Sequence, residues 1–381
     1  MSELPDLGEP GPVDASQSAS DPFTGFVLGM AVGDALGLPR EGLSGRRARR
    51  MFGGAPLDHS LISGFGLVSD DTEHMRMTAL AMCAEPHNAV RFGGLLAWKL
   101  RWWLIGLPAG VGLATAKGIL RLWMDWAPDC SGVSSTGNGP AMRAGVLGLC
   151  LHRDGDQLVE FVRVSTRLTH VDPLAETGAM IIALSAREVV RAAGAKISPG
   201  AILELCRQQT DDARWLEPLR QIEHSLEADE SAAEFANRLG LRQGVSGYIV
   251  HTVAVVLFCW LRWPGEFRRP VEEIILLGGD TDTTGAILGG LAGASAGAAA
   301  IPPEWIEHLV EWPYSAVWMK ENLGPELRRR FGTGSRTGGD ATTFVPLPLP
   351  GAIGWLAVFG RNLAFLAIVM AHGFRRLCPP Y

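Results

Sequence analysis

Residues 24–37 read TGFVLGMAVGDALG, and residues 284–297 read TGAILGGLAGASAG. In each run a glycine recurs at every fourth position: Gly25, Gly29, Gly33 and Gly37 in the first, Gly285, Gly289, Gly293 and Gly297 in the second. Positions four apart share one face of an α-helix. A glycine in a helix interior costs up to about 1 kcal/mol relative to alanine, so a stripe of them needs an offsetting contact. Close approach of two helix backbones supplies one and does not require a membrane. The stripes are therefore expected to pack on each other, antiparallel, although each could instead pack on some other helix. Antiparallel packing would carry Asp34 and Glu41, at the end of the first run, to Asp280 and Asp282, just before the second.

Outward from this pair the pattern stays helical. Stretches such as TALAMCA (78–84), GLLAWKLRWWL (94–104), AMIIALSAREVVRAAG (179–194) and YIVHTVAVVLFCWLRW (248–263) are mostly too long and too rich in Ala and Leu for strands. Gly, Pro, Asp and Ser punctuate them at helix boundaries. The reading is one all-α domain over residues 22–332. Residues 1–21, rich in Pro, Gly, Ser and Asp, read as a disordered extension. Residues 333–350 read as a Gly-, Thr- and Pro-rich linker, and 351–381 as an apolar tail helix. The run from Gly351 to Met370 could span a bilayer, with Arg375 and Arg376 flanking it. Arg361 and Asn362 fall near its middle, however, where charge is costly. A docked or peripheral helix is the better reading, and membrane contact through this tail is the alternative.

Composition narrows the function. With 381 residues and 47% apolar content the chain can bury a large core. A net charge of −6 and the lack of a long basic run argue against nucleic acid as a partner. Six widely spaced cysteines form no CxxC pair, which argues against a zinc cluster or a disulfide framework. The acidic, polar N-terminus has no apolar stretch of the secretory type, so a cytoplasmic location is expected.

Three segments are acidic beyond structural need: Gly33-Asp34-Ala35-Leu36-Gly37 with Glu41 after it, Ser69-Asp70-Asp71-Thr72, and Gly278-Gly279-Asp280-Thr281-Asp282-Thr283. The last two sit before helices, where one Ser, Asp or Thr would serve as an N-cap. Two carboxylates at one cap repel each other unless a cation is present. Hard cations such as Mg2+ or Mn2+ take oxygen ligands of this kind, and neither segment offers the His and Cys that zinc favours.

Taken in this order, GDALG, SDDT and GGDTDT resemble the ADP-ribosyl-glycohydrolase family. Gly137-Asn138-Gly139 with Met142-Arg143, Thr169-His170, Gly247-Tyr248 and IPPEW at 301–305 agree with it, and the similarity covers roughly residues 23–330. The resemblance implies a compact, orthogonal multi-helix fold with a binuclear metal cleft. It implies two divalent cations, Mg2+ or Mn2+, held by Ser69, Asp70, Asp71, Asp280, Asp282 and Thr283, with Asp282 bridging. Glu41, Asp70 and Asp71 are its catalytic candidates. Asp34, Gly137, Asn138, Gly139, Met142, Arg143, His170 and Tyr248 are its candidates for contact with substrate, the loop 134–143 cradling phosphate. The implied reaction is hydrolysis of the bond between ADP-ribose and a protein side chain, arginine first, through an oxocarbenium-like transition state. The implied partner is an ADP-ribosylated protein; a module that sequesters an ADP-ribosyltransferase is the alternative. One departure stands out. Many arginine-linkage members carry an acid in an Asp-x-Gly segment, and the matching stretch here is Gly110-Val111-Gly112.

Overall fold

In the computed structural model, which describes residues 21–332 and 345–379, the two striped runs lie in helices Pro22–Gly37 and Thr281–Ala296. The helices are antiparallel and in backbone contact. A Cβ added to Gly285 would lie 2.5 Å from the Gly33 carbonyl oxygen, and one added to Gly25, Gly29 or Gly33 would come closer still to the carbonyls of Gly293, Gly289 and Gly285. Gly37 completes its stripe against the backbone of Thr281. Gly297 does not belong to the second stripe: it follows the helix at a φ of 83°, a conformation that favours glycine.

The pair is wrapped on nearly every side, so neither helix is amphipathic. Helices Asp70–Ala84, Ala141–Cys150, Pro173–Ala192, Ile249–Arg262 and Arg268–Leu277 pack around Thr281–Ala296. Their starts are marked by side-chain caps where the sequence offers them, among them Ser69, Asp172, Ser198, Asp212 and Ser231. The fold is all-α. The strands among the described residues are a two-residue pair, Leu43–Ser44 antiparallel to Gly278–Gly279. It clasps the chain after the first striped helix to the chain before the second.

Two boundaries differ from the sequence reading. Asp21, assigned to the disordered extension, is buried and accepts hydrogen bonds from the Phe23 and Thr24 amides at 3.1 and 3.3 Å, capping the first helix. Val345, assigned to the linker, is buried in the main core, and Trp318 Nε1 donates to the Pro346 carbonyl at 2.7 Å. Residues 1–20, 333–344 and 380–381, which hold the rest of the extension and linker readings, lie outside the described residues. The tail forms one helix, Gly351–Arg376, lying along the domain. Arg361 is buried against Glu311 at 2.6 Å, Asn362 Nδ2 donates to the Gly106 carbonyl at 2.9 Å, and Phe365 packs with Leu38, Leu61, Leu67 and Ala109.

The striped contact predicts a contrast between two alanine substitutions. Gly29→Ala, which meets the Gly289 carbonyl and the Phe267 ring, should destabilise by about 1–3 kcal/mol or more. Gly94→Ala, also mid-helix but facing open space, should be neutral or stabilise by up to about 1 kcal/mol. Urea unfolding of both variants distinguishes them, and equal effects would remove the close-approach argument.

Candidate active site

Asp34 is the hub. It lies on the last turns of the first striped helix, fully buried, and takes hydrogen bonds from the Ser69 amide at 3.0 Å, the Thr72 amide at 3.1 Å and the Thr72 hydroxyl at 2.6 Å. Those bonds fix the turn that starts helix Asp70–Ala84. Burial pushes the Asp34 carboxyl up to about 6, against the pull of these donors. This corrects the expected substrate contact: with its oxygens engaged from within, Asp34 positions the Ser69–Asp71 turn. Thr72, quoted in the sequence motif without a role, is its main partner.

The two acidic clusters meet. Thr283 Oγ1 donates to Asp71 Oδ2 at 3.1 Å, and Ser69 Oγ donates to the same oxygen at 3.1 Å. Ser69 also caps its helix, so the ordinary structural role is real and leaves Asp70 and Asp71 spare. Asp280 precedes its helix without a side-chain cap bond; its carboxylate instead accepts from Asn138 Nδ2 at 2.6 Å. Asp71 Oδ1 and Asp282 Oδ1 are buried with no partner. Burial, then like charge from neighbouring acids, holds Asp70, Asp71 and Asp282 well above the usual carboxylate range. Glu41 is raised by burial and by Asp280, opposed by Arg376 of the tail helix.

Stranded anionic oxygens beside two hydroxyls form a hard-oxygen donor set, and it fits divalent cations. Among the described residues no three Asp, Glu, His or Cys side chains already close around one point. The hydroxyls of Ser69 and Thr283 both turn to Asp71 Oδ2.

The loop at 137–139 borders this cluster. Asn138 joins it to Asp280 and, at 2.9 Å, to the Thr252 hydroxyl, a residue the sequence reading did not single out. Gly137 bridges to half-buried Tyr248, so both flank the acids. His170 forms the floor: a Cβ on Gly137 or Gly139 would sit 3.1 or 3.2 Å from its ring. Burial and the charge of Arg143 push His170 down to about 3, so it is neutral and cannot serve as a phosphate-binding cation. Arg143 is fully buried and donates to Ser165 Oγ at 3.0 Å, Thr169 Oγ1 at 2.5 Å and the Gly139 carbonyl at 3.2 Å. Met142 is buried in the core. Both are candidates for substrate contact in the sequence; here Arg143 supports the loop through the Gly139 carbonyl and Met142 packs in the core. Gly137, Asn138, Gly139 and Tyr248 keep partly open positions.

Gly110, where the sequence lacks the expected acid, lies against the site: a Cβ there would be 3.6 Å from Asp70 Oδ1, and its φ of 84° disfavours any side chain. Its loop is held by the tail helix through Asn362 and Gly106.

A family model described as ADP-ribosylglycohydrolase matches residues 15–335. The chain is 27% identical over 302 residues to ADP-ribosyl-[dinitrogen reductase] glycohydrolase of Rhodospirillum rubrum, covering 77% of this chain and 91% of that protein. It is 31% identical over 202 residues to ADP-ribosylhydrolase ARH3 of Bos taurus, 46% of this chain and 54% of that protein. A solved structure titled ADP-ribosylglycohydrolase-related protein complex superposes with a TM-score of 0.62 at 28% identity, covering 82% of this chain and 99% of that one. Both the fold and the sequence match therefore place this chain in the ADP-ribosylglycohydrolase family, whose members hydrolyse the glycosidic bonds of ADP-ribose.

Proposed function

We propose that the protein is a Mg2+- or Mn2+-dependent hydrolase that releases ADP-ribose from arginine side chains of a modified protein. The observation that carries the reading is the Asp71–Thr283 hydrogen bond, which joins two acidic clusters more than two hundred residues apart, with a stranded carboxylate oxygen on each side. Ser69, Asp70, Asp71, Asp280, Asp282 and Thr283 would hold the cations. Bound there, divalent ions supply Lewis-acid polarisation and orientation of the ribose hydroxyls.

The remaining chemistry belongs to the chain. Asn138 and Thr252 hold Asp280 in place. Glu41 and Asp70, whose proton affinity burial raises, can in their ionised form accept a proton from an attacking water. The surrounding negative charge favours positive charge developing on the sugar ring. The glycines at 137 and 139 let the loop lie directly on the neutral His170 ring, and the partly open backbone of that loop would receive a phosphate. Asp70, bordered by the bare Gly110 backbone, leaves a negative wall that attracts a cationic guanidinium more than a neutral serine oxygen. A protein that only captured a transferase would have no use for this accumulation of buried charge.

Proteins ADP-ribosylated on arginine and on serine serve as test substrates, each with and without EDTA. Release from arginine, abolished by EDTA and restored by Mg2+, is expected. Asp71→Ala and Asp282→Ala should each lower it by a factor on the order of 10²–10⁴ or more. Retained release in both variants, or in EDTA, would overturn the reading; release from serine alone would overturn the linkage.

The carboxylates also set a pH signature. A carboxyl raised above its unfolded value contributes stability at low pH and loses it as pH rises through the folded value. For Asp34 that window runs from 3.8 to about 6, and for Asp70, Asp71 and Asp282 it starts at 3.8 and extends upward. Cations would offset this loss. The Tm difference between Mg2+-loaded and metal-free protein should therefore widen from about pH 5 to about pH 8. A difference that is flat or narrows over that range would contradict the assignment.

A further inference from the structure

We propose that the outer face of the tail helix, together with the basic helix Gly45–Phe52 beside it, docks on an anionic lipid bilayer. This does not rest on the catalytic reading. The tail helix is inverted relative to a helix on a water-exposed surface. Its polar residues Arg361, Asn362 and His372 turn inward, to Glu311, the Gly106 carbonyl and the Leu61 carbonyl. Outward it presents Ile353, Leu356, Leu363, Met370 and Phe374, each 45–66% exposed. No charged side chain interrupts that outward face before Arg375. At about 1.5 Å per residue the ridge from Ile353 to Phe374 is roughly 32 Å long.

Its two ends match a membrane interface. At the N-terminal end Trp355 meets Trp102, which meets Trp98 and Trp123, all with centroids within 6.1 Å. Tryptophan favours the headgroup level. At the C-terminal end exposed Arg375 lies over the Phe52 ring at 5.2 Å, beside helix Gly45–Phe52, whose exposed Arg46 and Arg49 line the next groove with Ala233 and Asn237 and extend the cationic end. The sequence from 345 to 381 holds no Asp or Glu. A cationic end on an apolar ridge is complementary to anionic headgroups over acyl chains. A protein partner would need hydrogen-bonding groups to set its register, and this ridge offers none. Spanning is excluded by the inward anchors: the Arg361–Glu311 pair is buried, and breaking it would strand both charges.

The test is co-sedimentation of the full chain with vesicles of phosphatidylcholine alone and of phosphatidylcholine mixed with phosphatidylglycerol. Binding to the mixed vesicles, weakening as salt rises, is expected. Leu363→Glu with Met370→Glu should weaken it at least about tenfold; Arg46→Glu with Arg49→Glu should remove the preference for anionic lipid. Unchanged thermal melting and ADP-ribose release would show that both variants fold. Failure to sediment with the mixed vesicles, or equal binding by the Leu363/Met370 variant, would overturn the proposal. So would a lipid-indifferent dimer that the same variant converts to monomer, since the ridge would then belong to a second copy of this chain.

Discussion

Everything in the site follows from two helix backbones lying in contact. Four crossing points, Gly25 with Gly293, Gly29 with Gly289, Gly33 with Gly285 and Gly37 with Thr281, hold the helices at a separation no side chain could enter. The helical propensity lost at those glycines is offset by dispersion contacts along the whole seam and by the apolar residues buried around it. Register is the consequence that matters. With the crossing points fixed four residues apart, the end of one helix and the beginning of the other share a single location. Asp34 and Asp282 are carried there by the backbone itself, and the Leu43–Ser44 clasp on Gly278–Gly279 closes the same end from outside.

That rigidity explains how the chain tolerates so much buried negative charge. A carboxylate that could swing to solvent would do so, because desolvation and like charge both favour escape. Here Asp71 is tethered by the Ser69 and Thr283 hydroxyls, Asp280 by Asn138, and Asp34 by the amides of the turn it supports. The acids divide into two kinds. Asp34 is satisfied by donors from the protein and acts as scaffold. Asp71 and Asp282 each keep one oxygen without a partner, and an unsatisfied buried anion calls for a cation.

The sequence was most legible where chemistry and geometry shared a pattern. The glycine period predicted both the helices and their antiparallel pairing, because its only good use is close approach. Doubled acids at helix starts marked the two segments that the fold brings together, because one cap never needs two carboxylates. Burial was the blind spot. Nothing in GDALG tells an exposed aspartate from one that accepts hydrogen bonds from a distant turn, so Asp34 was read as touching substrate. Arg143 shows the same limit: a charged residue in a glycine-rich neighbourhood looks functional until its partners, Ser165, Thr169 and the loop carbonyl, are known. Thr252 and Arg376 carried no local signal, since they reach the site only through helix packing and the docked tail.

The tail helix shows the same logic at the surface. Arg361 and Asn362 looked like an obstacle to membrane contact while the helix was judged as a span, since both fall near its middle. Placed along the domain, they point inward and do the anchoring: one pairs with Glu311, and the other holds the Gly106 loop whose neighbour Gly110 borders Asp70. The residues that argue against crossing a bilayer are therefore those that leave the opposite face free of polar groups. The same helix also reaches the site at two places, through Asn362, which grips the Gly106 loop, and through Arg376, whose charge opposes the rise in Glu41. One helix therefore carries both a wall of the cleft, through Asn362 and the Gly106 loop, and the Arg376 charge beside Glu41, while its opposite side forms the apolar ridge.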